Sequence, residues 1–166
     1  MRIEALVDPR LSVELVPSTC WYSNVRTNVS RQQWELCKKF VRTRSGDRCE
    51  VCKGRGRQQG WGWNVECHEV WEYVERGTAP LIVRTQRLTG LVALCPRCHE
   101  VKHIGRADAV GNLPRALEHL MVVNGWSDDE AELYIQVAFE VWHERSNYDW
   151  TLDVSYLDEI WAAYKV

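Results

Sequence analysis

The sequence predicts an α+β fold with a small β-rich centre between helical flanks, and three observations predict it. Two Cys-x-x-Cys pairs, Cys49/Cys52 and Cys95/Cys98, bracket segments rich in β-branched and aromatic residues. Apolar residues recur at helical spacing on either side, over 31–44 and from 113 to 145. Short β-prone runs broken by Pro fill the first 29 residues. The expected organisation is one domain of 166 residues: a β-prone arm (1–29), a metal-stapled core (30–110) and a helical extension (111–166). A chain of this length buries a real core. Nine Trp suggest a few large rings packed around the metal.

In the arm, Ile3–Val7 and Leu11–Val16 are the β-prone runs, broken by Pro9 and Pro17. Ser30 caps a helix of about 14 residues with Trp34, Cys37, Phe40 and Val41 on its inner face. Arg31, Lys38, Lys39 and Arg42 form the other face, which either is solvated or touches phosphate. Ser45-Gly46-Asp47 ends this helix. From Lys53 to Trp63, alternating Gly and Arg predict a mobile loop. There Arg55 and Arg57 grip phosphates, and Trp61 either stacks on a base or joins Trp63 in covering the metal knuckle.

Val65–Tyr73 is the first core strand, and its alternation puts Glu66 and His68 on one side and Cys67 on the other. After a turn at Glu75–Pro80, Leu81–Val83 and Leu88–Leu94 supply the remaining β structure. Pro96 opens a helix carrying His99 and His103, and Gly105 stops it. Asn112 and Pro114 open the next, through Val123, with Leu113, Leu117, Leu120 and Met121 apolar. A capping box from Ser127 to Glu130 begins a helix to about Arg145 with Leu133, Val137, Phe139 and Val141 inside. Trp150, Leu152, Leu157 and Trp161 mark a short final element.

The net charge of −2 conceals an asymmetry. Residues 31–60 carry nine Lys/Arg against three Asp/Glu, whereas 127–166 carry two against ten. The basic segment suits a polyanion; the acidic tail is either a solvated face or a protein-partner surface. With no signal-peptide run and no membrane-length apolar stretch, the expected compartment is the cytoplasm and no membrane partner is expected. There, seven Cys favour thiolates and metal over disulfides. Cys49, Cys52, Cys95 and Cys98 supply the ligand set of a closed tetrahedral Zn2+ site. Cys20, Cys37 and Cys67 remain, with Cys37 and Cys67 expected in the core.

Beside the knuckles stand Val65-Glu66-Cys67-His68-Glu69-Val70-Trp71 and Cys95-Pro96-Arg97-Cys98-His99, with His103 one turn on. At these residues, over about 45–107, the chain resembles the HNH endonucleases of the ββα-metal fold. The resemblance implies a ββα-metal, treble-clef-like core with a structural zinc. It implies His68 as general base and His99 at a catalytic divalent metal. A neutral imidazole near its pKa suits the base role, and a His next to a zinc ligand is rigidly held. The family residue before the base is usually a ligand; here it is Cys67, so Glu66 and His99 are the expected ligands of Mg2+ or Mn2+. His103 is a third ligand, a phosphate contact, or a helix-terminal His. Arg97, Lys102 and Arg106 are phosphate contacts or a solvated face. The family's middle Asn is Gly90 here, with Gln86 as a substitute. The implied activity is metal-dependent DNA hydrolysis. The rivals are a catalytically inactive zinc module binding nucleic acid or protein, and an RNA nuclease.

Overall fold

The computed structural model describes residues 8–164, so Ile3–Val7 lies outside the described residues. It is a mixed α+β structure with one three-stranded sheet and seven helices among those residues. The helices are α1 (Val25–Asn28), α2 (Arg31–Ser45), α3 (Pro96–Lys102), α4 (Ile104–Ala109), α5 (Leu113–Asn124), α6 (Asp128–Arg145) and α7 (Leu157–Tyr164). β1 (Glu66–Arg76) and β2 (Val83–Leu94) form a long antiparallel hairpin, and β3 (Thr151–Asp153) adds parallel to β2. None of these helices is long and apolar enough to cross a membrane.

Strand alternation splits the core in two. Glu66 pairs with Leu94 and His68 with Val92, while Cys67 pairs with Ala93 and Glu69 with Leu91. Val92 and Leu94 pack with Leu11, Val101, Ile104 and Leu120, the cluster that also holds the four knuckle cysteines. Leu91, Ala93 and Cys67 pack on the other side with Cys37 and Val41 of α2 and with Leu157 and Ile160 of α7. These interiors are largely aliphatic. Of the nine Trp in the sequence, Trp126 is the one buried among the described residues, whereas Trp21 and Trp63 are 59 % and 47 % exposed. The expectation of large rings around the metal holds only for Trp126, which shares the cysteines' cluster with Tyr134 and Phe139 packed against it; the other buried positions there are thiols and aliphatics, since bulky indoles seldom bury fully.

Helix α2 begins at a full Ser30/Gln33 capping box and ends at Gly46 with φ 60°, as its sequence signals require. Arg44 on α2 ties the layers together. It forms a two-pronged bond to Glu50 in the first knuckle (3.0 and 2.7 Å) and donates to Leu91 O at 2.6 Å. Glu50 also accepts from Ala93 N at 2.7 Å.

Several elements differ from their sequence expectation. Leu11–Val16 is not a strand. It lies extended against the helical half, with Leu11 bonded to the Asn124 side chain (3.0 and 2.9 Å), Val13 N to Tyr134 Oη (3.1 Å) and Glu14 N to Lys102 O (2.9 Å). Side chains and a helix end, not a neighbouring strand, satisfy its amides. Gly105 does not stop the histidine helix. The break falls at His103 (φ −100°, ψ 46°), and α4 continues to Ala109. In α6 the inner face is Ala131, Tyr134, Ile135 and Phe139, whereas Val137 and Val141 are exposed.

The Gly/Arg stretch is no mobile loop. Gly56–Gln59 forms a 3-10 turn pinned by Gly56 N to Asn64 O at 2.8 Å. A Cβ on Gly56 would stand 2.2 Å from Trp63 O and 2.8 Å from Pro96 Cδ, so only glycine fits between the loop and α3.

Candidate metal centre

Cys49–Cys52 form one turn and Cys95–Cys98 the N-terminus of α3, which brings four sulfurs together with all ligand atoms within 4.8 Å. Cys52 Sγ and Cys95 Sγ are 3.5 Å apart; two sulfurs on one tetrahedral zinc stand about 3.8 Å apart for Zn–S of about 2.3 Å. No disulfide links them. N–H donors surround the sulfurs as thiolates demand: Cys52 N on Cys49 Sγ (3.5 Å), Gly54 N on Cys52 Sγ (3.4 Å) and Gln59 Nε2 on Cys95 Sγ (3.3 Å). His119 of α5 places Nε2 3.2 Å from Cys98 Sγ, a contact across 21 residues that no motif announces. This cluster could bind a structural metal such as zinc.

A second cluster lies beside it. His68 on β1, His99 on α3 and His103 at the break just after it bring ligand atoms within 4.8 Å of one another. His99 Nε2 and His103 Nε2 are 3.2 Å apart, as expected for two ligands of one ion at about 2.0–2.1 Å each. Glu66 Oε2 accepts from His99 Nδ1 at 2.6 Å, and Glu66 Oε1 accepts from Trp63 Nε1 at 2.8 Å. The His99 partnership holds the Glu66 carboxyl below its ordinary pKa. His99 Nδ1 faces Glu66 and its Nε2 faces His103, so in the neutral ring that donates to Glu66 the lone pair sits on Nε2. Burial first, then the neighbouring His68 and His99, pull His103 down to about 3. His68, 5 % exposed, is lowered by burial against the opposing pull of Glu14.

Placement of the expected residues is mixed. Glu66 and His68 share a face and converge on His99, but Glu66 stands behind that ring as its hydrogen-bond partner, outside the three-histidine group. Cys67 points the other way into the second core, where burial raises its thiol pKa. Trp63 Nε1 bonds Glu66, and the residue lines the groove beside His99. Trp61 packs against Trp63 with its ring tilted by 55°, centroids 5.6 Å apart. Gln86 is 1 % exposed, pairs across the hairpin with Tyr73, and has no bond to His68. Gly90 pairs with Val70, and a Cβ there would meet only Val70 Cβ at 3.9 Å, so the backbone does not itself demand glycine.

A groove of about 1310 Å³ opens at His99 and Glu66. Its other wall is the polar face of α2, with Arg31, Lys38, Lys39 and Arg42, joined by Arg26. The basic face of α2 thus looks onto His99 and Glu66. Arg55, Arg57, Arg97, Lys102 and Arg106 do not line this groove. Lys102 turns inward, donating to Ser12 Oγ at 2.7 Å and lying 3.7 Å from Glu14 Oε2, so it is no free phosphate contact. Arg106 lines a separate cavity of about 540 Å³ that reaches His103 and Glu14 from the other side. Glu14 was invisible to motif reading, because it meets His68 across 54 residues.

The four-cysteine cluster, the histidine triad and the hairpin-plus-helix that carries them are consistent with a zinc-binding ββα-like module. Compared with known proteins, the chain matches no family model, no curated protein and no solved structure.

Proposed function

We propose that the chain is a metal-dependent phosphodiester hydrolase of the HNH type, acting on DNA, with a structural zinc on Cys49, Cys52, Cys95 and Cys98. The observation that supports it is the convergence of the His68, His99 and His103 ring nitrogens beside a groove that His99 lines and whose far wall carries Arg31, Lys38, Lys39 and Arg42. Two ring nitrogens 3.2 Å apart take either a hydrogen or a cation between them, and we take the cation as the occupant in the working site. His99 and His103 are therefore the ligand pair, with Glu66 fixing the tautomer of His99 from behind. Imidazole donors favour Zn2+ or Ni2+ over Mg2+. An ion bound there supplies positive charge for the phosphate and the leaving oxygen.

The chain's own residues do the rest. His68, kept neutral by burial, takes a proton from the attacking water. Arg31, Lys38, Lys39 and Arg42 hold the backbone phosphates by charge along the groove. A second reading has one favouring observation, the 4.8 Å grouping of all three histidines, which also permits His68 to be a third ligand. His68→Ala separates the two. A base leaves metal affinity intact while cleavage stops, whereas a ligand takes the metal with it.

The reading is tested by incubating supercoiled plasmid, and separately a folded RNA, with the protein and Zn2+, Ni2+, Mn2+ or Mg2+. Nicking of the plasmid with at least one ion is expected. Cleavage of RNA alone makes the enzyme an RNA nuclease, and inertness with all four ions leaves a zinc-stabilised binding module.

A further inference from the structure

We propose that Glu14, from the N-terminal arm, is the positioning residue that sets the orientation and tautomer of His68; its catalytic consequence rests on the hydrolase reading above. The hairpin offers His68 no such partner. Gly90 has no side chain, and Gln86 is buried elsewhere without a bond to His68. Glu14 Oε2 instead lies 3.1 Å from His68 Nε2, and both side chains are largely buried, at 5 % and 14 % exposure.

A carboxylate only accepts, so Nε2 must carry the hydrogen and Nδ1 is left with the lone pair. The second carboxylate oxygen is equally committed. Between Val70 and Trp71 the β1–β2 register slips, and at this bulge Trp71 N donates to Glu14 Oε1 at 2.7 Å. Glu14 N is fixed to Lys102 O at 2.9 Å. The Lys102 ammonium, 3.7 Å from Glu14 Oε2 and held by Ser12, balances the charge. Arm, bulge and histidine helix thus hold one carboxylate at three points. The working site is incomplete without a residue that lies before the core in sequence.

Glu14→Gln gives a sharp test because it keeps size and one acceptor. Its amide oxygen still accepts from Trp71 N, which turns the NH2 group toward His68. An NH2 can only donate there, so Nε2 must become the acceptor and the hydrogen must move to Nδ1. Imidazole 15N–1H correlation spectra of the purified full-length chain, with the His68 signals assigned by their loss in His68→Ala, read this directly at neutral pH. The wild type should show His68 as the Nε2–H tautomer and Glu14→Gln as the Nδ1–H tautomer, with unchanged zinc content and melting. In plasmid cleavage, kcat should fall at least about tenfold while KM and DNA affinity stay within about twofold, since a wrong tautomer damages proton transfer and not binding. Retention of the Nε2–H tautomer in Glu14→Gln overturns the proposal, and so does an unchanged kcat after the tautomer has inverted. A wild type that cleaves nothing, with the tautomer inverting as expected, instead removes the hydrolase reading and leaves the hold of Glu14 on His68 established.

Discussion

Gly56→Ala is a stringent probe of how the cysteine cluster is closed. The added Cβ would stand 2.2 Å from Trp63 O and 2.8 Å from Pro96 Cδ, with Pro96 Cγ at 3.0 Å. Two of the three neighbours belong to the first residue of α3 and the third is backbone, so no flexible side chain can swing away. The turn must shift by roughly 1 Å, a core overpacking that costs about 1–3 kcal/mol. The shift also pulls at the 2.8 Å bond from Gly56 N to Asn64 O, and a buried amide left without its partner adds about 1–3 kcal/mol. The expected loss is therefore about 2–6 kcal/mol, a drop of about 1 M or more in the urea midpoint. Gln59 Nε2 at the end of that turn and Gly54 N two residues before it donate to knuckle sulfurs, so zinc should also pass to a chelator faster. Gly62→Ala is the control, because a Cβ there meets nothing within 4 Å; it should change stability by less than about 0.5 kcal/mol. Identical urea midpoints and zinc retention for the two variants would refute the packed-turn argument.

Arg44→Met should cost about 2–4 kcal/mol in urea unfolding, because it leaves Glu50 half-buried without its guanidinium and removes the donor to Leu91 O. The double change Arg31→Ala with Lys39→Ala should make the slope of log K against log salt less negative by about 1.8 in DNA-binding titrations, at about 0.9 per lost phosphate contact. An unchanged slope would place the nucleic acid off this groove. Glu66→Gln should weaken metal binding at the histidine cluster by about 10–100-fold in chelator competition while zinc stays on the cysteines, because its carboxylate orients His99 from behind.

What was legible in the sequence was local. Cys-x-x-Cys spacing, the His99/His103 pair one helical turn apart, and the alternation separating His68 from Cys67 depend on backbone period alone, and the structure keeps all three. Ser30, Gly46 and Ser127 mark helix ends because caps answer to hydrogen bonds within one turn. The misreadings were non-local. The Gly/Arg stretch looks unpackable until Pro96, forty residues on, is set against Gly56. Of the residues expected inside α6, Phe139 packs inward, but Val137 and Val141 are exposed because the chosen side is that of Tyr134, which meets Val13 of the arm. Glu14 and His119 carry no pattern of their own. Each acquires a role only when tertiary packing delivers it to a histidine or a cysteine far along the chain.

The central claim is that the molecule holds two metal sites and that the histidine site is the reactive one. Native mass spectrometry of protein equilibrated with Zn2+ tests it most directly, run beside plasmid cleavage for the wild type and for His99→Ala with His103→Ala. Two ions per chain are expected in the wild type. The double variant should keep one, remain folded on Cys49, Cys52, Cys95 and Cys98, and no longer cut DNA. A single ion in both proteins, or cleavage that survives the loss of both histidines, would contradict the account.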